Sequence, residues 1–590
     1  MSSSSSDADG GQSRKRLVIG VLSVCLLVAM VVGTVAFLLT EKVEEDSDLN
    51  KRTMSTTTRT VDLFCAPTDY HGTCQETLES VLSRSSDPAD DPHAASAAAI
   101  TAVERELARG FNRSSLLDAV RQSNDTLVWE AVHDCRMLLD DCRGNVERAL
   151  SSIAWCGVDG PAQDLQAWLS AVITFQGSCV DMFPKGEIRD QVKATMQKAR
   201  EISSNAIAII QQAAALAAML DLHTDVVDGG GDKSKGNDTN RRLEESVSVP
   251  TWVPKEDRKL LDGKGGRRKV GLTPNVTVAK DGKGDFTNIS AALAAVPQRY
   301  QGRYVIYVKE GVYDETVNIT NRMANVTMYG DGSKKSIVTG SKNVIDGIRM
   351  WRTATFAVDG DSFAAMRLGI RNTAGVEKQQ AVALRVKADK AVFFNCRIEG
   401  HQNTLFAQAY RQFYRSCVIS GTVDFIFGDA AAVFQRCVLL VRPPRPGQPA
   451  VATAHGRRDH QQTTGFVVHK SSIIADERLA SNQSASTATK TYLGRPWKEF
   501  ARTVVMESVI EGFVHGQGYM PWEGQDSLGT AFFGEFGNTG DGANVTGRTE
   551  MKGFHVMGKD KAVQFTVGSF LHGAEWIPET GTPVSLGLSG

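Results

Sequence analysis

The C-terminal half of the chain repeats one short pattern about every twenty residues, and this repeat constrains the fold more than any other feature. The runs FFNC, FYRSC and FQRC end at Cys396, Cys417 and Cys437, and each has apolar residues at alternating positions. No helical segments separate them, as they would in βαβ units. Repeats of this kind bury a core by stacking on one another. The pattern therefore predicts an all-β, right-handed parallel β-helix over residues 273–590, with a β-sandwich as the alternative.

The three cysteines of the repeat occupy equivalent positions in consecutive units. In a solenoid, residues one repeat apart lie above each other. The sequence therefore predicts a disulfide between Cys417 and Cys437 on neighbouring coils, and a buried free thiol at Cys396. Disulfides fit an oxidising compartment, and the Asn-x-Ser/Thr sequons along the chain are usable only in the secretory pathway.

The first forty residues are typical of a membrane-anchored secretory protein. A basic SRKR stretch at 13–16 precedes 23 residues without a charge at 17–39. This segment is long enough to span a bilayer and longer than the core of a usual signal peptide. Because basic flanks stay in the cytoplasm, we predict a cytoplasmic tail over 1–16, a signal anchor over 17–39 and a type II orientation.

Between the anchor and the β-helix the composition changes twice. A chain of 590 residues is too long for one compact domain. Apolar residues three and four apart, and an Ala-rich segment, predict an all-α helical bundle over 60–222 that disulfides hold together. Residues 223–272 are rich in Gly, Lys, Asp and Asn and predict a linker that does not fold. Residues 273–590 carry more basic than acidic side chains, which suits a polyanionic partner.

Several segments of the predicted β-helix resemble, in order, the signature segments of plant pectin methylesterases. They are GVYDE (311–315), QAVALR (380–385), GTVDFIFG (421–428) and YLGRPWKEFARTVV (492–505). The helical region resembles the inhibitor-type pro-region of the same precursors. The resemblance implies an esterase that removes methyl groups from homogalacturonan (pectin) in the cell wall and releases methanol. It implies pectinesterase inhibitor proteins as partners, and no metal, cofactor or nucleic acid.

The resemblance also assigns roles to single residues. Asp424 matches the aspartate that attacks the ester carbonyl, although an isolated Asp in apolar company is more often a turn or a buried structural acid. Gln402 and Gln380 match glutamines of the family's site, and their amides are suitable donors to an oxyanion or to the substrate. Arg495 matches the arginine that fixes the nucleophile and should keep it ionised. Trp497 matches an aromatic residue that stacks on sugar.

The chain departs from the family at Asn403. Family members carry there the aspartate that protonates the leaving methanol, and an amide cannot exchange that proton. Losing a positioned general acid or base costs about 10²–10⁴ in rate. Phe406 also stands where the family has tyrosine. Three hypotheses stay open: a slowed esterase, a pectin-binding pseudoenzyme that grips the polymer through Asp424, Arg495 and Trp497, and a bundle whose main role is to inhibit or bind an esterase.

Three further expectations rest on the same resemblance. WVPKEDRKLL (252–261) resembles the junction that a subtilase-type protease cleaves, which predicts processing at Arg258, Lys259, Leu260 and Leu261 and delivery to the cell wall or apoplast. In the helical region an additional cysteine pair is expected to form its own disulfide, and these residues are Cys142 and Cys156. In GVYDE we expect Glu315 to cap a neighbouring backbone rather than to act in catalysis.

Overall fold

The computed structural model describes residues 56–82, 92–111, 125–156, 162–227, 272–298, 300–481, 489–522 and 527–589. The chain divides into the units Met1–Arg59 and Thr60–Gly590, and apart from residues 56–59 the structure discussed here lies in the second. The predicted tail (1–16), the anchor (17–39) and the processing residues (258–261) lie outside the described residues. Within the described ranges, no helix is both long and apolar enough to cross a membrane.

The N-terminal part of the second unit is helical, as predicted. Its helices are α1 Thr56–Cys65, α2 His71–Leu82, α3 Pro92–Phe111, α4 Thr126–Cys156, α5 Ala162–Met182 and α6 Glu187–Val227. Asp125 begins α4, because its carboxylate accepts a hydrogen bond from the backbone N–H of Leu127 (2.8 Å). The apolar faces of the helices meet in one core around Leu169, Phe175 and Ile207, which are fully buried. Helix α6 continues five residues into the predicted linker.

Two disulfides hold the bundle together, so the prediction of a disulfide-stapled bundle is confirmed. Cys65–Cys74 joins α1 to α2, and Cys135–Cys179 joins α4 to α5. The expected pair of Cys142 and Cys156 is wrong, since both thiols are free. Both lie on α4, where 14 residues of helix separate them by about 21 Å. A disulfide requires Cα atoms within about 7 Å of each other.

The C-terminal part consists of short strands joined by turns. The strands are β1 Val276–Val278, β2 Tyr304–Val308, β3 Gly311–Asp314, β4 Val317–Ile319, β5 Val326–Gly330, β6 Ser336–Gly340, β7 Phe356–Val358, β8 Ala364–Met366, β9 Gly369–Asn372, β10 Leu384–Val386, β11 Ala391–Phe394, β12 Arg397–Glu399, β13 Leu405–Ala407, β14 Arg411–Arg415, β15 Val418–Gly421, β16 Ile426–Gly428, β17 Ala431–Gln435, β18 Val438–Val441, β19 Ala450–His455, β20 Gly465–His469, β21 Ser472–Ala475, β22 Thr491–Pro496, β23 Arg502–Met506, β24 Val509–Ile510, β25 Phe532–Phe536 and β26 Phe554–Val556. Short α-helices lie at α7 Ile289–Ala294, α8 Glu477–Ser481, α9 Lys559–Val563 and α10 Val567–Leu571, and 3₁₀ turns at Met350–Thr353, Val376–Lys378, Ser527–Gly529, Asp541–Ala543 and Pro578–Thr580.

These strands form three parallel sheets, and successive coils contribute one strand to each. The eleven-stranded sheet has the order β1-β2-β5-β8-β11-β14-β17-β20-β23-β25-β26, the seven-stranded sheet β22-β19-β16-β13-β10-β7-β4 and the eight-stranded sheet β24-β21-β18-β15-β12-β9-β6-β3. Side chains of equivalent positions stack inside, and the ring centroids of Phe393, Tyr414 and Phe434 follow each other at 5.0 and 4.8 Å. The parallel β-helix is confirmed, and the β-sandwich is excluded because the paired strands are parallel.

The corner between the eleven-stranded and eight-stranded sheets explains the three repeat cysteines. The residue that precedes each cysteine has a left-handed backbone conformation, with φ of 52° at Asn395, Ser416 and Arg436. This turn directs the following thiol into the solenoid, and the structure leaves Cys417 and Cys437 buried and free. The predicted disulfide between them is therefore wrong.

A hydrogen-bond ladder takes the place of that disulfide. The thiol of Cys417 donates to the backbone carbonyl of Phe393 in the preceding coil (3.3 Å), and Cys437 does the same one coil further on (3.4 Å). Ser471 continues the ladder, since its hydroxyl donates to a carbonyl of the coil before it (2.9 Å). The thiols thus act as donors along the solenoid axis. Cys396 is a buried free thiol, as predicted.

The helical bundle packs against one side of the β-helix. Tyr410, in the turn after β13, enters the apolar core of the bundle and its ring meets that of Phe175 edge-on at 5.7 Å. Its hydroxyl and the side-chain amide of Asn145 are hydrogen-bonded (2.8 Å), and both groups are buried. Ion pairs surround this contact, among them Arg148 with Asp361. The bundle is therefore held by a mixed apolar and charged interface.

Candidate active site

The outer face of the seven-stranded sheet carries the candidate site. The parallel register sets Arg385, Phe406, Phe427, Ala454 and Arg495 side by side across five neighbouring strands. Their sequence neighbours on the strands point into the solenoid core, so this row faces outward. The rings of Phe406 and Phe427 stack with centroids 4.4 Å apart. Phe406 thus contributes to an apolar floor.

Asp424 lies at the edge of this floor and is bound by a single guanidinium. Arg495 donates from Nε to Oδ1 (2.8 Å) and from Nη2 to Oδ2 (2.6 Å), which is a bidentate pair. Only 5% of Asp424 is exposed. Burial raises the pKa of this carboxyl above its ordinary value, and the hydrogen bonds and charge of Arg495 act against that rise. The structure therefore brings together the predicted nucleophile and the predicted arginine.

Asn403 occupies the same position as Asp424, one coil earlier. The parallel register of β13 and β16, continued two residues before each strand, sets Asn403 beside Asp424. Both residues have a left-handed backbone conformation, with φ of 61° at Asn403 and 48° at Asp424. Asn and Asp tolerate this conformation better than most residues. The backbone N–H of Asn403 donates to the carbonyl of Val423 (3.1 Å), next to Asp424, so the two residues lie on adjacent coils about 4.8 Å apart.

The two glutamines lie beside this pair. Gln380 and Gln402 form a parallel β-bridge between consecutive coils, and Gln402 immediately precedes Asn403. The backbone N–H of Ala381 donates to the carbonyl of Gln402 (3.2 Å), which fixes the two segments against each other. The structure thus groups both glutamines with Asn403 at the entrance to strands β10 and β13.

A histidine on a strand of the same sheet does not face this site. His455, on β19, has its side chain inside the solenoid, where its ring meets Phe466 edge-on at 4.5 Å. Burial lowers the pKa of His455 to about 3. It is therefore neutral, and it lies on the wrong side of the sheet.

Three tryptophans among the described residues border the floor, and only Trp497 was predicted from the sequence. Trp497 meets Phe427 with ring centroids 6.0 Å apart. Trp522 lies over the guanidinium of Arg495 at 4.2 Å, and Trp351 lies 5.5 Å from that of Arg385. These contacts join residues far apart in the chain. The only feature of the sequence that could have indicated Trp351 and Trp522 is the presence of a tryptophan in a polar turn.

Comparisons with known proteins agree with this geometry. A family model described as "Pectinesterase" matches residues 275–574. The chain belongs to the pectinesterase family. A second family model, "Plant invertase/pectin methylesterase inhibitor", matches residues 59–209, which contain most of the bundle.

Individual pectinesterases extend the match. "Probable pectinesterase/pectinesterase inhibitor 13" of Arabidopsis thaliana is 38% identical over 98% of this chain and 96% of its own length. Pectinesterase 1 of Citrus sinensis is 40% identical over 78% of this chain and 77% of its own. The structure of a pectin methylesterase from carrot covers 55% of this chain and all of its own, with 45% identity and a TM-score of 0.53. The comparisons thus match both the β-helix and the bundle of this chain.

Glu315 of the GVYDE segment is structural. Its carboxylate accepts hydrogen bonds from the backbone N–H groups of Ile289 and Ser290 (2.8 Å each), at the start of α7. This cap is the role expected for Glu315 from the sequence. It links the third strand to the first helix of the pectinesterase domain, away from Asp424.

Proposed function

We propose that this pectinesterase removes methyl esters from homogalacturonan with Asp424 as the nucleophile. The bidentate pairing of Asp424 with Arg495 beside an apolar, aromatic floor supports this proposal most directly. The guanidinium holds one carboxylate at a fixed position at the edge of a surface suited to sugar rings. A positioned carboxylate gains the large advantage of orientation over a free one.

The reaction then takes two steps. The Asp424 carboxylate attacks the ester carbonyl carbon, and the amides of Gln402 and Gln380 donate to the oxyanion. The bond between the carbonyl carbon and the methoxy oxygen breaks, which expels methoxide and leaves an anhydride between Asp424 and the galacturonate. The methoxide takes a proton from water and leaves as methanol. The resulting hydroxide attacks the anhydride, which releases the free galacturonate and restores Asp424.

Asn403 determines the rate of this sequence. Its amide can hold the water by a hydrogen bond, but water is a weaker acid than a positioned carboxylic acid. We therefore expect methanol release about 10²–10⁴ slower than in the Asn403→Asp variant. The test compares methanol released from highly esterified pectin by the unmodified chain, Asn403→Asp and Asp424→Ala. A rate equal to that of Asn403→Asp would refute the role given to this residue.

The same assay separates the esterase from the pseudoenzyme. In the second case the unmodified chain releases no more methanol than Asp424→Ala and still binds pectin. The esterase is favoured because the nucleophile keeps its arginine. Replacing Trp497 by Ala, which should weaken pectin binding in either case, serves as the binding control.

The bundle supports a second proposal, that it restrains the esterase in the same chain. Asp134 on α4 accepts hydrogen bonds from Arg349 (2.6 Å) and from the indole of Trp351 (3.2 Å), and Trp351 borders the floor of the site. On α5, Asp181 pairs with Lys498 (2.9 Å), next to Trp497. Cleaving the linker and removing the bundle should raise methanol release. Equal activity before and after removal would refute the restraint.

We further propose the route by which the enzyme reaches its substrate. Residues 17–39 anchor the precursor in the secretory pathway, a subtilase cleaves at 258–261, and the mature esterase enters the cell wall. The test is N-terminal sequencing of the protein recovered from the wall of plant cells that express the full chain. A mature form that retains residues 60–222 would refute the processing step.

A further inference from the structure

A groove of about 570 Å³ lies between the bundle and the β-helix, beside the candidate site. Basic side chains from both domains line it, and these are Arg189, Lys193, Arg200, Arg458 and Lys498. The lining also includes three acidic residues, which are Asp181, Asp190 and Glu499. Arg200 pairs with Asp459 outside this lining (3.7 Å), so the groove carries one positive charge in excess.

The carboxylate of Asp181 forms ion pairs with three of these cations. Asp181 accepts hydrogen bonds from Arg189 (2.5 Å) and Lys498 (2.9 Å) and also pairs with Arg458. Burial alone would raise the pKa of Asp181, but Arg458 and Lys498 hold it well below its ordinary value. A single charge cannot neutralise three. The cluster therefore leaves a positive potential that a second anion would satisfy.

The position of Arg458 is fixed by the fold of both domains. A Cβ atom at Gly177 on α5 would lie 2.4 Å from Cδ of Arg458, so the side chain passes where only glycine leaves room. Its guanidinium then lies 5.9 Å from the ring of Trp497, and the ammonium of Lys498 lies 5.3 Å from the same ring. The basic groove therefore adjoins the aromatic end of the candidate active site.

We propose that this groove binds the free carboxylates of de-esterified galacturonan. The choice of ligand rests on the proposed function, because that reaction leaves one carboxylate on each sugar it has processed. A polyuronate combines sugar faces, which stack on an aromatic ring such as Trp497, with carboxylates for Arg458 and Lys498 beside it. A methyl-esterified chain offers the sugar faces without the charges. The groove exists only while the bundle is attached, so it is a site of the uncleaved chain for the acidic product, which competes there with Asp181.

Lys193 is the residue with which to test the groove. It is exposed on α6, so its replacement should not disturb the fold. Lys198 lies on the same helix, but its ammonium pairs with Glu76 on α2 (3.1 Å) and does not line the groove. Lys193→Glu and Lys198→Glu therefore change the net charge equally, and Lys198→Glu additionally removes the exposed ion pair with Glu76.

The experiment titrates fully de-esterified oligogalacturonate into the full chain carrying Asp424→Ala, which prevents turnover. At low salt, Lys193→Glu should weaken binding about three- to tenfold, Lys198→Glu less than twofold, and Lys193→Arg should bind like the parent. A fully methyl-esterified oligomer should not distinguish these variants. Equal effects of the two Glu variants, or an equal loss with the esterified oligomer, would overturn the proposal. So would inorganic phosphate that binds as tightly as the oligomer, which would indicate a general anion site.

The outcome is independent of the proposed function. Binding is measured with a ready-made acid, whereas methanol release is measured on the chain with Asp424 intact. No methanol release together with Lys193-dependent binding would refute the esterase and leave the groove. Methanol release without any effect of Lys193 would refute the groove and leave the esterase.

Discussion

Replacing Asp429 by Asn should make the stability of this pectinesterase less dependent on pH between about pH 4 and pH 7. Asp429 is buried where the bundle meets the β-helix. Its carboxylate accepts hydrogen bonds from Thr174 of α5 (2.7 Å), from Thr464 (2.7 Å) and from Gln462 (2.8 Å). Burial raises the pKa of Asp429 to about 6, against the effect of these donors.

The size of the effect follows from the two pKa values. The ordinary value is 3.8 and the folded value about 6, so the folded chain holds this proton more tightly than the unfolded chain. The protonated group contributes its stability in full below pH 3.8, and this contribution is lost as the pH rises through 6. A difference of about two pKa units corresponds to about 3 kcal/mol. An uncharged Asn at this position avoids that loss.

Urea denaturation followed by tryptophan fluorescence provides the assay. The free energy of the first unfolding transition should fall between about pH 4 and pH 7.5 by about 3 kcal/mol more in the unmodified chain than in Asp429→Asn. Whether the bundle separates first or the whole chain unfolds, Asp429 becomes exposed. Asp281→Asn, on an exposed turn, controls for the loss of one charge. Parallel pH profiles for the unmodified chain and Asp429→Asn would refute the reasoning.

Two further predictions concern Asp424 and the thiol ladder. Arg495→Gln should raise the pKa of Asp424 further, because it removes the charge that opposes the effect of burial. The acid limb of methanol release against pH should therefore move to higher pH. An unchanged acid limb would contradict the pairing of Arg495 with Asp424. Cys417→Ser should lower the free energy of unfolding by about 1 kcal/mol or less, since the hydroxyl of Ser471 makes the equivalent hydrogen bond further along the ladder. A reductant should not alter the melting temperature of the β-helix domain. A large effect of the reductant would indicate a disulfide between Cys417 and Cys437.

The sequence contained enough to predict the solenoid, because each coil repeats the same pattern of buried side chains. The sequence did not reveal the backbone conformation at the corner between the eleven-stranded and eight-stranded sheets. A residue with φ of 52° before Cys417 turns the thiol toward a backbone carbonyl instead of toward Cys437. Likewise, the pairing of Cys142 with Cys156 fails because one unbroken helix holds both. Cysteine positions in a repeat thus indicate proximity between coils but not the direction of the side chain.

The site could be predicted only in part for a related reason. Asp424 was recognisable as a carboxylate among apolar residues, and the family resemblance supplied its arginine. Trp522 and Trp351 went unrecognised because they reach the floor from separate loops, and only the register of the coils brings them together. The docking of the bundle depends on Tyr410, which lies in a turn with no pattern that distinguishes it from other turns.

The equivalence of Asn403 and Asp424 in neighbouring coils has a consequence for the pH dependence of catalysis. Restoring Asp at 403 would set two carboxyl groups on adjacent coils about 4.8 Å apart, and Arg495 already pairs with Asp424. Two carboxylates that close repel each other, so the residue without the arginine should take the higher pKa and carry the proton. Asn403→Asp should therefore show a bell-shaped dependence of methanol release on pH, with both an acid and a base limb. The unmodified chain has one titrating group at this position in the two coils, so its methanol release should rise with pH through a single acid limb. If the unmodified chain shows the same base limb as the Asn403→Asp variant, a group other than residue 403 supplies the proton.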